Sequence, residues 1–266
     1  AALFKRFGDV DAWPVCLDTQ DVDEIVRTVQ IIAPVYGGIN LEDISAPRCF
    51  EVERRLRELL DIPVFHDDQH GPAIVVRAAL RSSLKLGKQN LEDVKIVMSG
   101  AGAAGTAIAR LLMMSGTKNI IAFDSKGAIH KGTKTQDPMR QWFVDHCNPN
   151  NFTGSLSDAM NGADIFIGVS KGNILKESDV ASMGKDSIVF ALANPDAEID
   201  PYIARKYATV VATGRSDQPN QINNVLAFPG IFRGLLDANA HKITDELLIA
   251  AAEAIAGCVL PEQLNA

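Results

Sequence analysis

The stretch Lys95-Ile-Val-Met-Ser-Gly-Ala-Gly-Ala-Ala-Gly105 decides the fold, because an apolar strand runs directly into a glycine-rich turn that opens a helix. Gly100 allows the tight turn, Gly102 lets the backbone approach a pyrophosphate, and Gly105 lets the helix pack against the strand. The N–H groups and the dipole at the helix N-terminus favour a phosphate there. Such a turn also occurs without a ligand, but its place between a strand and a helix predicts dinucleotide binding.

An acidic residue ends the next strand, Ile121-Ala-Phe-Asp124, where folds of this kind bind the adenine ribose. A carboxylate there favours NAD, because it would repel the 2′-phosphate of NADP. The neighbours Ser125 and Lys126 could instead hold that phosphate, so NAD and NADP stay open as alternatives. The cofactor-binding residues predicted from these two stretches are Gly100, Gly102, Ala103, Ala104, Gly105, Asp124, Ser125 and Lys126.

Short apolar runs alternate with helical stretches along most of the chain, which is the pattern of a parallel sheet with helices on both faces. We therefore predict an α/β chain, with a Rossmann-like doubly wound parallel sheet and part of a second α/β domain. The predicted strands are 13–17, 36–39, 62–65, 94–99, 119–123, 163–169, 187–192 and 208–212, with a strand-like start at 1–7. The predicted helices are 20–33, 47–59, 71–86, 103–114 and 244–257. The irregular stretch 126–137 is predicted to be a surface loop.

The composition excludes several classes of function. Of the 266 residues 47% are hydrophobic, which is enough for a large core, and a net charge of -7 gives nucleic acid or an anionic membrane no electrostatic attraction. No apolar run approaches the roughly 20 residues of a membrane span. We expect reduced core thiols and a cytoplasmic protein from the widely spaced Cys16, Cys49, Cys147 and Cys258. Both ends look cut, so we expect a fragment that lacks an N-terminal segment.

Pairs of acidic residues follow two of the predicted strands, Glu42-Asp43 the second and Asp67-Asp68 the third. Because the carboxyl ends of parallel strands form the ligand crevice, these carboxylates should meet there, and they would repel each other unless a cation lay between them. Oxygen ligands of this kind suit Mg²⁺ or Mn²⁺. The two histidines beside the second pair lack the glutamate of a helical zinc motif, so zinc is disfavoured.

Two asparagine-rich turns follow later strands. Asn194 comes just after the strand 187–192, and Asn224 leads from a turn into an apolar stretch. Asparagine is an ordinary turn residue. Neutral amides at the mouth of a core could nevertheless bind a small carboxylate and the nicotinamide amide, so we predict that both asparagines contact a ligand.

The sequence resembles the malic enzyme family, in the shorter form found in bacteria and some protists. The matching stretches occur in the family's order and cover nearly the whole chain. They are LFKRFGDVDAWPVCLDT, YGGINLEDISAPRCFEVERRL, IPVFHDDQHG, IVMSGAGAAG, FALANP and GRSDQPNQINNVLAFPGIFRG. HDDQHG and NQINNVLAFPGIFRG are far more specific than the glycine motif.

The resemblance implies oxidative decarboxylation of malate to pyruvate and CO₂, with reduction of NAD or NADP and dependence on Mg²⁺ or Mn²⁺. It also implies a homodimer. The site residues that it implies are metal ligands at Glu42, Asp43 and Asp68, a partner of the catalytic lysine at Asp67, and substrate or nicotinamide contacts at Asn194, Asn224 and Ser170.

The sequence departs from the family in several places. The family's general-base lysine and general-acid tyrosine belong to an upstream segment, so we expect this chain alone to be inactive. Pro72 stands where the family usually has threonine, and Ser170-Lys171-Gly172 replaces a turn of small residues and proline. We also expect that the family's C-terminal extension lies beyond this fragment.

Two other functions and a division into domains complete the predictions. The chain could belong to another, metal-independent Rossmann dehydrogenase, although no lysine lies at a strand end to serve its substrate. It could also be a non-catalytic NAD(P)-binding module of a larger assembly.

We expect residues 1–66 and 224–266 to form a substrate-side and metal-side domain, and residues 67–223 the nucleotide-binding domain, with the active site in the cleft.

Overall fold

Two sheets organise the computed structural model, which describes residues 1–264. Strands β1 (Ile39–Leu41) and β2 (Val64–His66) form a parallel two-stranded sheet. The other strands are β3 (Lys95–Ser99), β4 (Asn119–Asp124), β5 (Gly127–Ala128), β6 (Ile165–Gly168), β7 (Ile188–Ala191) and β8 (Val210–Thr213). They form a six-stranded sheet in the order β5-β4-β3-β6-β7-β8, in which only the β4–β5 pair is antiparallel.

Helices cover both faces of the larger sheet, and helices also pack on both sides of the smaller one. They are α1 (Ala2–Gly8), α2 (Val22–Ile32), α3 (Arg48–Leu59), α4 (Asp67–Gly87), α5 (Ala103–Met114), α6 (Pro138–His146), α7 (Leu156–Met160), α8 (Glu177–Ala181), α9 (Pro201–Ala204), α10 (Phe228–Asp237) and α11 (Asp245–Gly257). Side-chain caps explain several starts, because Asp21 and Thr244 accept backbone N–H groups at the beginning of α2 and α11.

The core lies in layers on the two faces of the larger sheet, as the alternation of side chains along its strands requires. Ile96 and Met98 of β3 pack on the side of α4, α5 and α11, whereas Val97 packs on the opposite side, toward α7 and α8. A smaller apolar cluster joins α2 and α3 to β1 and β2. The predicted α/β class with a doubly wound, mostly parallel sheet is therefore confirmed.

Most of the predicted elements are confirmed within a few residues, but the N-terminal region is not. The strand-like start at 1–7 is the helix α1, which packs against α10 through Phe4, whose ring centroid lies 4.9 Å from that of Phe228. The strand predicted at 13–17 is wrong, because this stretch has no regular structure and Trp13 is 78% exposed. Of its apolar side chains, Val15 is exposed as well, whereas Leu17 packs against the smaller apolar cluster.

Smaller corrections concern a helix start, a loop and two cysteines. Helix α4 begins at Asp67 rather than near residue 71, and the predicted loop 126–137 contains the short strand β5. Cys16 and Cys258 are exposed, so only Cys49 and Cys147 are core thiols.

Within residues 1–264 every helix is too short or too polar to span a membrane.

Candidate active site

Three carboxylates come together where β1 and β2 end. Glu42 directly follows β1, while Asp67 and Asp68 form the first turn of α4 directly after β2. The two strands are parallel and paired in register, with Leu41 opposite His66, so the residues that follow them lie side by side. Each of the three acids offers one carboxylate oxygen to a group whose members lie within 4.8 Å of one another.

The electrostatics of this three-acid group disfavour its full ionisation. Burial raises the pKa of Asp67 to about 6, with a further rise from the charge of Asp68 and an opposing effect of a hydrogen bond from Asn224. Burial also raises the pKa of Glu42 to about 7, and the charges of Asp67 and Asp68 add to that rise. Within residues 1–264, no ion pair joins the three acids to a basic side chain.

A buried oxygen of Asp67 fits a cationic ligand. Asp67 Oδ2 accepts a hydrogen bond from Asn224 Nδ2 at 3.0 Å, whereas the buried Oδ1 has no hydrogen-bond partner among residues 1–264. Gly71 gives it room, because a Cβ there would come within 2.6 Å of Oδ1. A set of carboxylate oxygens with one unsatisfied member is the donor set that Mg²⁺ and Mn²⁺ prefer, so the residues present fit such an ion.

Asp43 differs from the other acids predicted here. Its backbone N–H donates to Asp68 Oδ2 at 3.0 Å, and its φ of 56° places it in the left-handed region. Its own carboxylate does not belong to the three-acid group. The structure thus brings together three of the four acids that follow β1 and β2, and Asp43 supports the group through its backbone.

A buried network beneath the three-acid group was missed by the sequence analysis. Glu53 of α3 is 6% exposed, and its carboxylate lies 2.9 Å from Gln69 Nε2, 2.6 Å from His70 Nε2 and 2.7 Å from a terminal nitrogen of Arg57. Burial alone would raise the pKa of Glu53, but His70 and Arg57 outweigh it and hold that pKa below its ordinary value. The sequence did contain a signal for this burial. Glu53 lies at helical spacing from Cys49 and Leu56, which are both buried, so it shares their face of α3.

The glycine turn has the geometry that a bound pyrophosphate needs. Gly100 has a φ of 114°, and a Cβ there would lie 2.7 Å from the carbonyl oxygen of Val169. A Cβ on Gly105 would collide with the Gly100 carbonyl, whereas one on Gly102 would meet no atom within 4 Å in the part of the chain that the structure describes. No side chain caps α5 at Gly102, so its first N–H groups, which include those of Ala103 and Ala104, are open toward a ligand.

The predicted ribose-binding acid has a basic partner that the sequence analysis did not find. Asp124 Oδ2 lies 2.6 Å from Nε of Arg140, a residue of α6 that is largely buried. Asp124 Oδ1 accepts the backbone N–H of Lys126 at 2.7 Å. The side chains of Ser125 and Lys126 are exposed at the turn between β4 and β5. The acid is therefore held in place before any ribose binds.

The remaining predicted residues lie at the carboxyl ends of their strands. Ser170 follows β6 and Asn194 follows β7, so both lie at the edge of the sheet that carries the glycine turn, and both are exposed. Asn224 begins a short 3-10 turn and joins the acids through its bond to Asp67. Ser170 and Asn194 thus accompany the cofactor turn, while Asn224 accompanies the carboxylates.

This doubly wound sheet, with an open glycine turn and an acid at the ends of adjacent strands, defines a dinucleotide-binding protein of the Rossmann class. Comparison of the sequence with known families identifies the protein more narrowly than this class. Residues 1–57 match the family profile described as the malic enzyme N-terminal domain, and residues 69–266 match the malic enzyme NAD binding domain. The chain belongs to the malic enzyme family.

Relatives and a solved structure agree with this assignment. The chain is 57% identical over 265 residues to an NAD-dependent malic enzyme of Geobacillus stearothermophilus, covering 100% of this chain and 55% of that protein. It is 51% identical over 261 residues to an NADP-dependent malic enzyme of Rhizobium meliloti, covering 96% of this chain and 34% of that protein. The crystal structure of an NAD-dependent malic enzyme from Thermotoga maritima superposes with a TM-score of 0.94 at 46% identity, covering 99% of this chain and 71% of that one.

Proposed function

We propose that the full-length protein catalyses the oxidative decarboxylation of malate to pyruvate and CO₂ with reduction of NAD or NADP. The observation that carries the proposal is the three-acid group of Glu42, Asp67 and Asp68, which lies in a chain that also holds an open nucleotide turn. The names of the relatives support the substrate and the cofactor, and this chain covers about half or less of those two curated proteins.

We assign the metal ligands to Glu42, Asp43 and Asp68, with Mg²⁺ or Mn²⁺ as the ion. The close approach of Glu42 and Asp68 supports two of these ligands, and the bond from the Asp43 backbone to Asp68 keeps the third next to them. The ion supplies a Lewis acid for the oxygen on C2 of malate. Retained Mn²⁺ affinity in Asp43→Asn would remove Asp43 from the ligand set and leave the other two.

Asp67 has a different role in the proposal. Its Oδ2 is held by Asn224, and its unpartnered Oδ1 can accept a hydrogen bond from the catalytic lysine that the family resemblance implies. A carboxylate in this position stabilises the ammonium that forms when the lysine accepts a proton, and it fixes the direction of that side chain. Asn224 orients Asp67 and leaves its own amide oxygen for a ligand.

The nucleotide site follows from the strand ends of the larger sheet. The N–H groups of 102–105 bind the pyrophosphate, and Asp124 accepts hydrogen bonds from the ribose hydroxyls. Ser170 and Asn194 contact the nicotinamide end, where the cofactor supplies the hydride acceptor. NAD and NADP stay alternatives, since Asp124 favours the first and the exposed Lys126 could hold the 2′-phosphate of the second.

The test is the formation of NADH or NADPH from malate by the full-length protein, with and without Mn²⁺ and with each cofactor separately. We expect metal-dependent reduction of the cofactor, with pyruvate and CO₂ as products. Reduction that is indifferent to EDTA would indicate a metal-independent dehydrogenase. Cofactor binding without turnover of malate would indicate a non-catalytic module.

Three further properties stay predictions for the full-length protein. The family resemblance predicts a homodimer, which sedimentation equilibrium tests. The composition predicts a cytoplasmic location, which cell fractionation tests. Domain boundaries near residues 66 and 223 are predicted from the sequence, and limited proteolysis with and without NADH would locate them.

A further inference from the structure

A buried carboxylate behind the nucleotide edge has no part in the function described so far. Glu198 is 0% exposed and lies a few residues after Asn194. Its two oxygens accept hydrogen bonds from different turns, because Oε1 accepts the N–H of Ser170 at 3.2 Å and Oε2 accepts the N–H of Ala193 at 3.1 Å. One side chain therefore joins the turn that follows β6 to the turn that follows β7.

The fold makes room for this carboxylate and fixes it from several sides. A Cβ on Gly168, the last residue of β6, would collide with the carboxyl group of Glu198. The carbonyl oxygen of Glu198 accepts the N–H of Leu175 at 2.9 Å, and that of Ala197 accepts the N–H of Asn173 at 2.9 Å. The position of the side chain is thus set by its own backbone and by a glycine opposite it.

The same contacts reach the glycine turn. Ser170 Oγ lies 2.8 Å from Oγ of Ser99, the last residue of β3. The next residue, Gly100, packs so closely on Val169 that a Cβ would lie 2.7 Å from its carbonyl oxygen. A continuous path of contacts therefore runs from the pyrophosphate turn through 169–170 to Glu198, and from there to the residue before Asn194.

Burying a carboxylate is costly, and here no cation offsets the cost. Within residues 1–264 no basic side chain forms an ion pair with Glu198, and burial raises its pKa despite the two N–H donors. An apolar side chain would avoid this cost but would leave two backbone N–H groups without an acceptor. The carboxylate is the side chain that can accept from two turns at once, one of which carries Ser170 and the other Asn194.

We propose that Glu198 is a positioning residue for the nicotinamide end of the cofactor, which rests on the function proposed above. By accepting the N–H groups of Ser170 and Ala193, it sets the separation between the turns that carry Ser170 and Asn194. The adenine ribose depends on Asp124, and the pyrophosphate depends on 100–105, which Glu198 reaches through the intervening residues 169–170. Glu198 therefore acts most directly on the nicotinamide half of the dinucleotide.

The experiment compares two ligands on the full-length protein carrying Glu198→Gln. Glutamine has the shape of glutamate, but its NH₂ group would face one of the two N–H donors and turn a hydrogen bond into a repulsion. We expect the affinity for NADH, measured by its fluorescence, to fall about tenfold while the affinity for ADP-ribose changes less than about twofold. Amide hydrogen exchange at Ser170 and Ala193 should become faster in this variant.

A matched control separates positioning from stability. Asp179 is also a buried acid, 5% exposed, and its carboxylate accepts the backbone N–H of Lys176 at 2.8 Å near the start of α8. We expect Asp179→Asn to lower the melting temperature without changing the ratio of the two affinities. If Glu198→Gln does not fold, Glu198→Asp keeps the charge and withdraws it by one methylene, and the ratio should change in the same direction.

Other outcomes would overturn the proposal. Equal affinity losses for NADH and ADP-ribose, or a loss of stability with both affinities unchanged, would leave Glu198 with a role in folding alone. Wild-type protein that binds neither ligand would reject the nucleotide site itself, and with it both proposals. Wild-type protein that binds NADH but does not oxidise malate would reject the proposed reaction while the Glu198 comparison still stands.

Discussion

The buried acid Glu53 and the three-acid group both involve the segment 66–71, but their surroundings differ. Glu53 is buried against hydrogen-bond donors from Gln69, His70 and Arg57, and its pKa is lowered. Asp67 accepts a hydrogen bond from the neutral amide of Asn224, and its pKa is raised to about 6. The segment 66–71 thus supplies two of the three partners of Glu53 and two acids of the three-acid group.

The difference indicates which group is complete without a ligand. A buried charge whose partners are all present supports the fold by itself, and removing a single partner is costly. A cluster of like charges without a cation lowers stability until one binds, and the binding free energy then stabilises the fold. Glu53 is therefore expected to serve the fold. Glu42 and Asp68 are expected to bind an ion, and Asp67 is expected to pair with the catalytic lysine.

The largest effect is expected for the free energy of unfolding when Glu53, whose charge is already compensated, is replaced. Glu53→Gln removes the charge that holds Arg57 and His70, and it leaves these two groups partly buried without their partner. We expect the free energy of unfolding, measured by urea denaturation of the full-length protein at pH 7, to fall by about 3 kcal/mol. Glu51→Gln on the exposed side of the same helix, which loses only a 3.5 Å contact with Arg55, should change it by less than about 0.5 kcal/mol. Equal effects of the two variants would contradict the distinction between the groups.

The next largest effect concerns the ion. Asp68→Asn keeps an oxygen that can accept the N–H of Asp43 but removes a charged ligand from the three-acid group. We expect the affinity for Mn²⁺, measured by titration calorimetry, to fall at least about 100-fold, with the affinity for NADH unchanged. Asp61→Asn, at an exposed acid outside the group, is the control and should leave both affinities as they are. Unchanged Mn²⁺ affinity in Asp68→Asn would place the ion elsewhere.

The features that could be predicted from the sequence depend on neighbouring residues. The glycine turn and the helix 103–114 are determined by contacts within a few positions, and the structure has that helix between the same two residues. The acids after β1 and β2 were predicted to meet because parallel strands end at one edge of a sheet. The structure brings three of the four together.

The features that could not be predicted depend on partners that are distant in the sequence. Residues 1–7 are apolar enough for a strand, and the packing of Phe4 against Phe228 and Phe232 of the distant helix α10 explains why they form a helix. Glu53 and Arg140 resemble ordinary surface charges until the fold brings His70 to the first and Asp124 to the second. Charge compensation between separate elements is thus the property that sequence patterns miss.

The third prediction is a gain in the free energy of unfolding, whereas the first is a loss. The pKa of Asp67, about 6, lies above its ordinary value of 3.8, so the ionised form destabilises the metal-free protein above pH 6. Asp67→Asn removes that charge and keeps an oxygen for Asn224. In EDTA at pH 7.5 we expect a free energy of unfolding about 2 kcal/mol higher than that of the wild type, and this gain should shrink to nothing as the pH falls toward 4. A variant less stable than the wild type at pH 7.5 would show that Asp67 is compensated like Glu53.

The smallest effect concerns Asp124, an acid that is compensated by Arg140 and yet lies at a ligand site. Because Arg140 already holds this carboxylate in place, ribose hydroxyls can bind to it with little rearrangement, whereas a 2′-phosphate would meet its negative charge. Asp124→Ala should therefore weaken NAD about tenfold and NADP by less, as measured by competition with NADH fluorescence. Arg140→Gln is the companion variant, and it should weaken NADP more than NAD because it leaves the charge of Asp124 without its partner. Equal losses for the two cofactors in Asp124→Ala would show that this acid does not distinguish them, and that its pairing with Arg140 serves the fold as the pairing of Glu53 does.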